Sequence, residues 1–467
     1  MVNIDDFAGK KFSVAFTEEL HNDLEKQFDS GRYQEDLIFA LYKLSEGNSR
    51  CTAILQKLIY PVEGDRILQG NVAFTSEYFI KVLGVATEGY GIAFLHSHLG
   101  PGWQGMSSDD IVAEKDRLAS AVAGSTRLPL VGLTMGTDGS WSARFWLRAG
   151  ANDYRRCWAE TVRVVGADLK ITYNPHLYED TLDKETQIAT ISVWGEEKQR
   201  DIARTHVGII GLGSVGSIVA EGLARLGVSH YTLIDHDIIE NRNLDRTLGA
   251  TREDVENKTP KVVIAQRTIT HSHTSKKITI TSCLCSLLGD DGYKNALDCD
   301  VIFSCVDRPL PRHVLNTMAY SHLIPVIDGG IVAKVDGMKL INADWRIHAI
   351  SPGRPCMMCI NALTMEQVAL DKSGQLDNPS YIEGLPPEMK ASLARQNVFP
   401  FSMSVAAHEI LQFVGLVTGM KRLGGYGSQM YHCYPGFMEV LNITKCQEDC
   451  EYSKLTATAI DLSGNWN

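Results

Sequence analysis

The stretch HVGIIGLGSVGSIVAEGLARLGVSHYTLID, residues 206–235, constrains the fold more than any other part of the chain. An apolar run meets Gly211, Gly213 and Gly216 in G-x-G-x-x-G spacing, a helical pattern follows, and a second apolar run ends on an acid. Strand, glycine turn, helix and strand in that order open a doubly wound α/β domain. Backbone N–H groups and the helix dipole at such a turn receive phosphate. Asp235 and Asp237 stand where a ribose would be held, which suits a dinucleotide site and a site that activates ATP equally well. Strand-like segments at 277–283, 300–304 and 324–328 continue the pattern.

One such domain does not use 467 residues, so two are expected. Residues 11–150 carry an amphipathic helix near 17–29, strands near 37–43, 51–60 and 92–96, and a helix after Ser107. The segment 166–195, with Asn174-Pro175 and mixed charges, reads as a linker between a domain at 10–165 and another at 196–460. No internal repeat or long low-complexity stretch is seen. The content, 44% hydrophobic and 22% charged, is that of a soluble globular protein, and no membrane span is expected. A net charge of −11 argues against a nucleic-acid partner. The N-terminus lacks a signal-peptide pattern, so a cytoplasmic location is the default. In that compartment eleven cysteines are better read for metal or catalysis than as a disulfide framework.

At FLHSHLGPGWQGMSSDD, residues 94–110, two histidines follow an apolar strand. Alternation along a strand puts His96 and His98 on one face. Ser107 and Ser108 are good N-caps, so Asp110 falls in the first turn of the next helix. Two imidazoles and a carboxylate leave the fourth position of a tetrahedral zinc ion for water, as in hydrolytic sites. Glu35, just before the strand at 37–43, is the candidate base.

These motifs resemble the JAB/JAMM metalloprotease family, which removes ubiquitin-like proteins or trims their C-termini. The resemblance covers roughly residues 11–165 and implies an α/β/α metalloprotease fold. It also implies a catalytic zinc on His96, His98 and Asp110, with Glu35 as general base and acid and Ser107 stabilising the oxyanion. Leu99 replaces the proline usual after the second histidine, and eight residues rather than seven separate His98 from Ser107.

Beyond the glycine turn come DHDIIENRNLDR at 235–246, Lys261 in KTPKVVIAQ, and CVDRPLPR at 305–312. Adenylation uses such a set, because cations and Mg²⁺ stabilise charge as a carboxylate attacks the α-phosphate and pyrophosphate leaves. A nicotinamide oxidoreductase does not. In order and separation the set resembles the ThiF/MoeB family, relatives of ubiquitin-activating enzymes, over roughly residues 196–445. The resemblance implies that Asp237 binds the ATP ribose, that Asn243, Arg246 and Lys261 hold the phosphates, and that Asp307 binds Mg²⁺. It also implies a homodimer. Relatives supply an arginine to the neighbouring subunit from just before a WGEEKQ-like stretch. None stands there in this chain, and Arg200 and Arg204 are the candidate substitutes.

Cys356 and Cys359 form C-x-x-C in a Pro/Gly-rich knuckle, and Cys446 and Cys450 form C-x-x-x-C; together they suit a closed structural zinc site. Residues 360–400 contain no cysteine to take up a thioester. Cys433 and Cys305 remain as candidates, each read as a core residue in the first instance. The expected function is therefore bifunctional: processing of a ubiquitin-like protein with a small-residue tail, and ATP-dependent adenylation of that tail, with handover to a separate conjugating-enzyme-like protein. Prokaryotic pathways that resemble ubiquitin conjugation, some linked to phage defence, combine these parts. Sulfur-carrier activation for cofactor synthesis is the near alternative, and a degenerate module that only binds such a tail is the rival.

Overall fold

The computed structural model describes residues 3–28, 34–69, 71–86, 89–150, 153–336, 339–377, 397–420 and 427–463. The first half is built on β1 (Lys11–Thr17), β2 (Leu37–Glu46), β3 (Arg50–Ile59), a hairpin of β4 (Arg66–Gln69) and β5 (Asn71–Phe74), β6 (Gly91–Ser97), β7 (Leu130–Met135), β8 (Trp141–Arg148), β9 (Tyr154–Trp158), β10 (Thr161–Val165) and β11 (Leu169–Tyr173). All but the hairpin form one nine-stranded sheet, ordered β11-β10-β1-β3-β2-β6-β7-β8-β9. Helices Ser76–Val85 and Ser120–Thr126 cover the face that carries Leu37, Phe39, Leu41, Ile92 and Phe94.

The second half contains β12 (His206–Ile210), β13 (His230–Ile234), β14 (Thr279–Cys283), β15 (Val301–Ser304), β16 (Val326–Asp336), β17 (Lys339–Ile350), β18 (Gln429–His432) and β19 (Phe437–Val440). They form a sheet ordered β14-β13-β12-β15-β16-β17-β18-β19. The pairs from β14 to β16 are parallel and those beyond are antiparallel. β12, β13 and β15 are apolar along nearly their whole length because helices bury both faces of a parallel sheet. Strand order reverses between β12 and β15, and in such sheets ligands bind at that crevice, outside the carboxyl ends.

The expected linker is only partly one. Residues 169–173 pair with β10 as the last strand of the first sheet, and Ile188–Trp194 is a helix. The helix Phe399–Thr418 also corrects the sequence reading, since its length and mean hydropathy of 1.3 would suffice to cross a membrane. Here it is a core helix, with Val405, Ala406, Phe413, Val414 and Leu416 packed in the second half.

The halves meet without a gap. Ala15, Ile54, Val165 and Leu169 of the first share a hydrophobic core with Val207, Val301 and Trp345 of the second. Asp300, at the foot of β15, is buried between Arg50 (2.6 Å) and Arg163 (3.1 Å). Burial opposes its charge, but the two guanidiniums hold its carboxyl down at about 2. Asp298 accepts from Ser49 N–H and Oγ–H at 2.9 and 2.8 Å, and Ser45 Oγ lies 2.7 Å from His322 Nδ1. Farther along, Ser351 donates to Gly166 O and Arg354 to Ala167 O. His206, Asp300 and Ser351 all lie at the amino-terminal edge of the parallel strands, opposite the ligand crevice.

Candidate active sites

In the first half β2 and β6 run antiparallel with Leu37 opposite His96. The pairing continues one residue on, where Ser97 N–H donates to Asp36 O at 3.0 Å, so Glu35 lies opposite His98 and its charge favours a protonated His98. From the loop side, Ser107 caps the helix that starts at Ser108. Its hydroxyl accepts from Asp110 N–H at 3.1 Å, and the Asp110 carboxylate accepts from Ser107 N–H at 2.7 Å. That capping box aims Asp110 back at the strand end. His96 Nε2 and His98 Nε2 are 3.2 Å apart, and each lies 3.3 Å from an Asp110 oxygen. Ligands about 2.0–2.1 Å from a tetrahedral zinc ion stand about 3.3 Å from one another, so this donor set fits that ion.

The electrostatics agree with this placement. Burial lowers the pKa of His96, and the hydrogen bond to Asp110 raises that of His98. Burial alone would raise the pKa of Asp110, but the two imidazoles bring it far below the carboxylate range. The sequence reading missed Thr134, Glu114 and Arg144 behind these ligands. Thr134 Oγ1 is 3.3 Å from His96 Nε2, Arg144 donates to Thr134 Oγ1 at 2.5 Å, and Arg144 is paired with Glu114. A charged residue inside the apolar strand WSARFWLR was the available signal.

At the second site Gly211 has φ +88°, a left-handed conformation that favours glycine, and a Cβ on Gly216 would overlap the Gly211 carbonyl. Asp235 differs from expectation. Its oxygens accept from Leu212 N–H (2.6 Å) and Asp237 N–H (2.8 Å), so this carboxylate ties the glycine turn to β13 rather than facing a ribose. Asp237 is half exposed and pairs with Lys261 at 2.7 Å, which holds its pKa below the ordinary carboxylate range against partial burial. Arg246 pairs with Asp245 at 2.8 Å, and Asn243 accepts from Glu240 N–H at 3.0 Å. Gly213 precedes the helix Ser214–Leu226, and Ser214 Oγ meets Ser402 Oγ at 2.5 Å, bringing the first turn of the helix Phe399–Thr418 to the same place. Asp307 is exposed in the loop that leaves β15, on the carboxyl side of the crevice.

Arg200 and Arg204 are both engaged elsewhere. Arg200 pairs with Asp180 and Glu196, while Arg204 pairs with Asp201 and lies over the Tyr173 ring. Both lie on the helix Glu196–Arg204, and their ion pairs are partly exposed, as those of Lys261 and Arg246 are. Cys356, Cys359, Cys446 and Cys450 converge with all sulfurs within 4.8 Å, and Cys356 Sγ is 3.6 Å from Cys450 Sγ. Backbone N–H groups of Cys356 and Cys359 donate to Cys446 Sγ and Cys356 Sγ, as around a bound metal. Zinc–thiolate bonds of about 2.3 Å put sulfurs about 3.8 Å apart, so these four fit a structural zinc ion. Cys433 is exposed, contrary to its reading as core, whereas Cys305 packs against the core as expected. Cys283 and Cys285 are disulfide-bonded. The cysteine-free segment 360–400 lies partly outside the described residues.

The ThiF family model matches residues 185–424. The sulfur carrier protein ThiS adenylyltransferase of Bacillus subtilis (strain 168) is 26% identical over 182 residues, 38% of this chain and 51% of that protein. The molybdopterin-synthase adenylyltransferase of Escherichia coli (strain K12) is 28% identical over 171 residues, 36% and 62% respectively. The matches thus span about half to three fifths of these relatives' own length. Among solved structures, E. coli MccB with ATP is 18% identical at a TM-score of 0.43, covering 59% of this chain and 76% of that one.

Proposed function

The chain belongs to the ThiF family, and on that premise we propose that its second half uses ATP and Mg²⁺ to adenylate the C-terminal carboxylate of a ubiquitin-like or sulfur-carrier protein, while its first half is a zinc-dependent peptidase for the same kind of tail. The observation that carries the peptidase half is the convergence of three side chains, the two His Nε2 atoms 3.2 Å apart and each 3.3 Å from one of the two Asp110 oxygens. The adenylating half is supported by the family match together with the placement of Asp237, Lys261 and Asp307 around the carboxyl-edge crevice.

His96, His98 and Asp110 would hold the zinc ion, which when bound supplies Lewis acidity and lowers the pKa of a ligand water to about 7. Glu35, opposite His98, takes the proton from the attacking water and returns it to the leaving amine. The Ser107 hydroxyl, held at the loop end by the capping box, would help stabilise the oxyanion. In the second half the glycine turn and the two helix starts receive the phosphates. Lys261 leaves Asp237 for phosphate, which frees Asp237 for the ribose, and Arg246 and Asn243 turn in from the segment 241–246. Asp307 would hold Mg²⁺. A homodimer supplying a side chain across the subunit boundary belongs to the same reading.

The relatives' names favour a second reading of the substrate, a sulfur carrier rather than a conjugated modifier. The test is ATP–pyrophosphate exchange with a ubiquitin-like protein encoded beside this chain, supplied as precursor and pre-trimmed to its terminal glycine, using wild type and Glu35→Gln. Exchange with both forms by wild type, and with only the trimmed form by the variant, is expected. Exchange with neither form would remove the adenylation reading for that class of protein, and unchanged use of the precursor by Glu35→Gln would remove the peptidase reading.

A further inference from the structure

Behind the donor set lies an ion pair whose location stability alone does not explain. The side chains of Glu114 and Arg144 are both 0% exposed. Arg144 donates through Nε to Glu114 Oε2 at 2.9 Å and through Nη2 to Oε1, and Trp146 Nε1 donates to the same carboxylate at 2.7 Å. Desolvation of two charges consumes much of what such a pair gains, so a buried pair is weak evidence of added stability. Geometric definition is what this one can supply.

Each end of the pair leads to a ligand. Glu114 follows Asp110 by four residues, on the continuous helical run from Ser108 that widens to π geometry over Val112–Ala119. The pair therefore anchors the Asp110 helix one turn past the ligand. Arg144 uses its remaining Nη1 to donate to Thr134 Oγ1 at 2.5 Å; that oxygen is 3.3 Å from His96 Nε2, a contact of the metal-free chain that a metal on the same nitrogen would replace. Thr134 is the register partner of His96 on β7 and is fully buried. Gly132, opposite Arg144 on β7, completes the cradle: a Cβ there would overlap both the Glu114 carboxylate and the Arg144 guanidinium.

We propose that Glu114 and Arg144 are the positioning residues that hold the Asp110 helix at metal-binding separation from His96 and His98, the Arg144 end being fixed on β8 and, through Thr134, on β7. The proposal rests on the reading of His96, His98 and Asp110 as a metal centre. It ties the helix-borne ligand to the sheet that carries the other two by one buried brace, and so makes metal affinity depend on residues that touch no metal. Groups behind metal ligands typically change affinity by roughly ten- to a hundredfold when removed.

The test uses the full chain and zinc, by competition with a chromophoric chelator, together with cobalt(II) absorption to separate the centres. The four-cysteine site gives a thiolate charge-transfer band, and the His/Asp centre gives only d–d bands. Glu114→Gln keeps the side-chain shape and removes the ion pair; Arg144→Lys keeps the charge and loses the fork. The expected result is zinc affinity at the His/Asp centre weakened roughly tenfold or more in both, with altered cobalt d–d bands and an unchanged charge-transfer band. A purely structural pair would lower the melting temperature yet leave zinc affinity and the d–d bands as in wild type, and that result would overturn the proposal. If Arg144→Lys does not fold, Glu114→Gln decides alone. If wild type shows no metal that His96→Ala removes, the metal reading falls and this proposal with it.

Discussion

The two candidate sites differ in how their charges are used before any ligand arrives. At the histidine site the donors face one another: Asp110 has His96 and His98 as its side-chain partners, with a rigid capping box at its back. At the glycine turn the charges are satisfied locally, Lys261 by Asp237, Arg246 by Asp245, and Asp235 by two backbone N–H groups. A single cation needs a few ligands at fixed separation, and a fold can hold those ready. A nucleotide brings several negative charges, and the cations awaiting it are parked on neighbouring acids. Such half-exposed pairs are worth about 0–1 kcal/mol each, so opening them costs little.

That contrast predicts effects of unequal size. The largest belongs to the pre-formed site: Glu35→Gln should slow cleavage of a precursor tail by roughly 10²–10⁴-fold, the range for a lost general base, with ATP binding unchanged. Cleavage kinetics beside ATP calorimetry would check it, and a parallel loss of ATP binding would mean the sites are not independent. Next, Lys261→Ala should lower pyrophosphate exchange by roughly 10²–10³-fold through lost stabilisation of transition-state charge. If the pairing with Asp237 is only a parking place, Asp237→Ala should spare Lys261's role and chiefly raise the KM for ATP. Equal kcat losses in the two variants would instead make the pair itself part of the machinery.

A smaller effect, but one common to both sites, is expected at the joint. Asp300→Asn leaves Arg50 and Arg163 buried without a full counter-charge, and breaking such a pair costs about 3–5 kcal/mol. Because the halves share a core, a single cooperative unfolding transition should shift as a whole in calorimetry. Two transitions, with only one displaced, would show that each site rests on a separately folding half.

How far the sequence carried each site follows from the same contrast. Local rules brought the histidine cluster together: strand alternation placed His96 with His98, and a helix cap placed Asp110. Those rules act over a few residues and survive folding. The nucleotide site was legible as a set of residue types, but the role of Asp235 was not, because its partners, Leu212 and Asp237 N–H, are brought to it only when β12 and β13 pair. Glu114, Arg144 and Thr134 escaped for the same reason, since their meeting depends on β6, β7 and β8 lying side by side. The joint was hidden behind an expected linker whose first part is a sheet strand, a misreading that Asn174-Pro175 encouraged. Cys433 was taken as core because unpaired cysteines usually are; its place in the turn between β18 and β19 is a matter of sheet topology.

The last expected effect is an order of events in a pH titration, which separates the joint from the histidine site. Burial pushes His206 down to about 3 and His322 and His348 to about 4. Each stays neutral in the folded chain while the unfolded chain takes up a proton near pH 6.5. Between pH 6.5 and 4 the unfolded state therefore binds more protons, and stability falls as pH falls, by up to roughly 1.4 kcal/mol per unit for each group. Asp300 has the same sign at lower pH: its contribution is complete above the unfolded value near 3.9 and is lost as pH falls through about 2. His98 moves the other way. Its pKa is raised by Asp110, so in the metal-free chain it protonates at a higher pH than an ordinary imidazole and competes for the metal first. In one titration from pH 8 to 4, the metal-free chain should therefore lose affinity for added zinc at the histidine site before the urea midpoint drops. Coincident loss of affinity and midpoint would mean that the site is held together by the joint rather than by its own capping box and register.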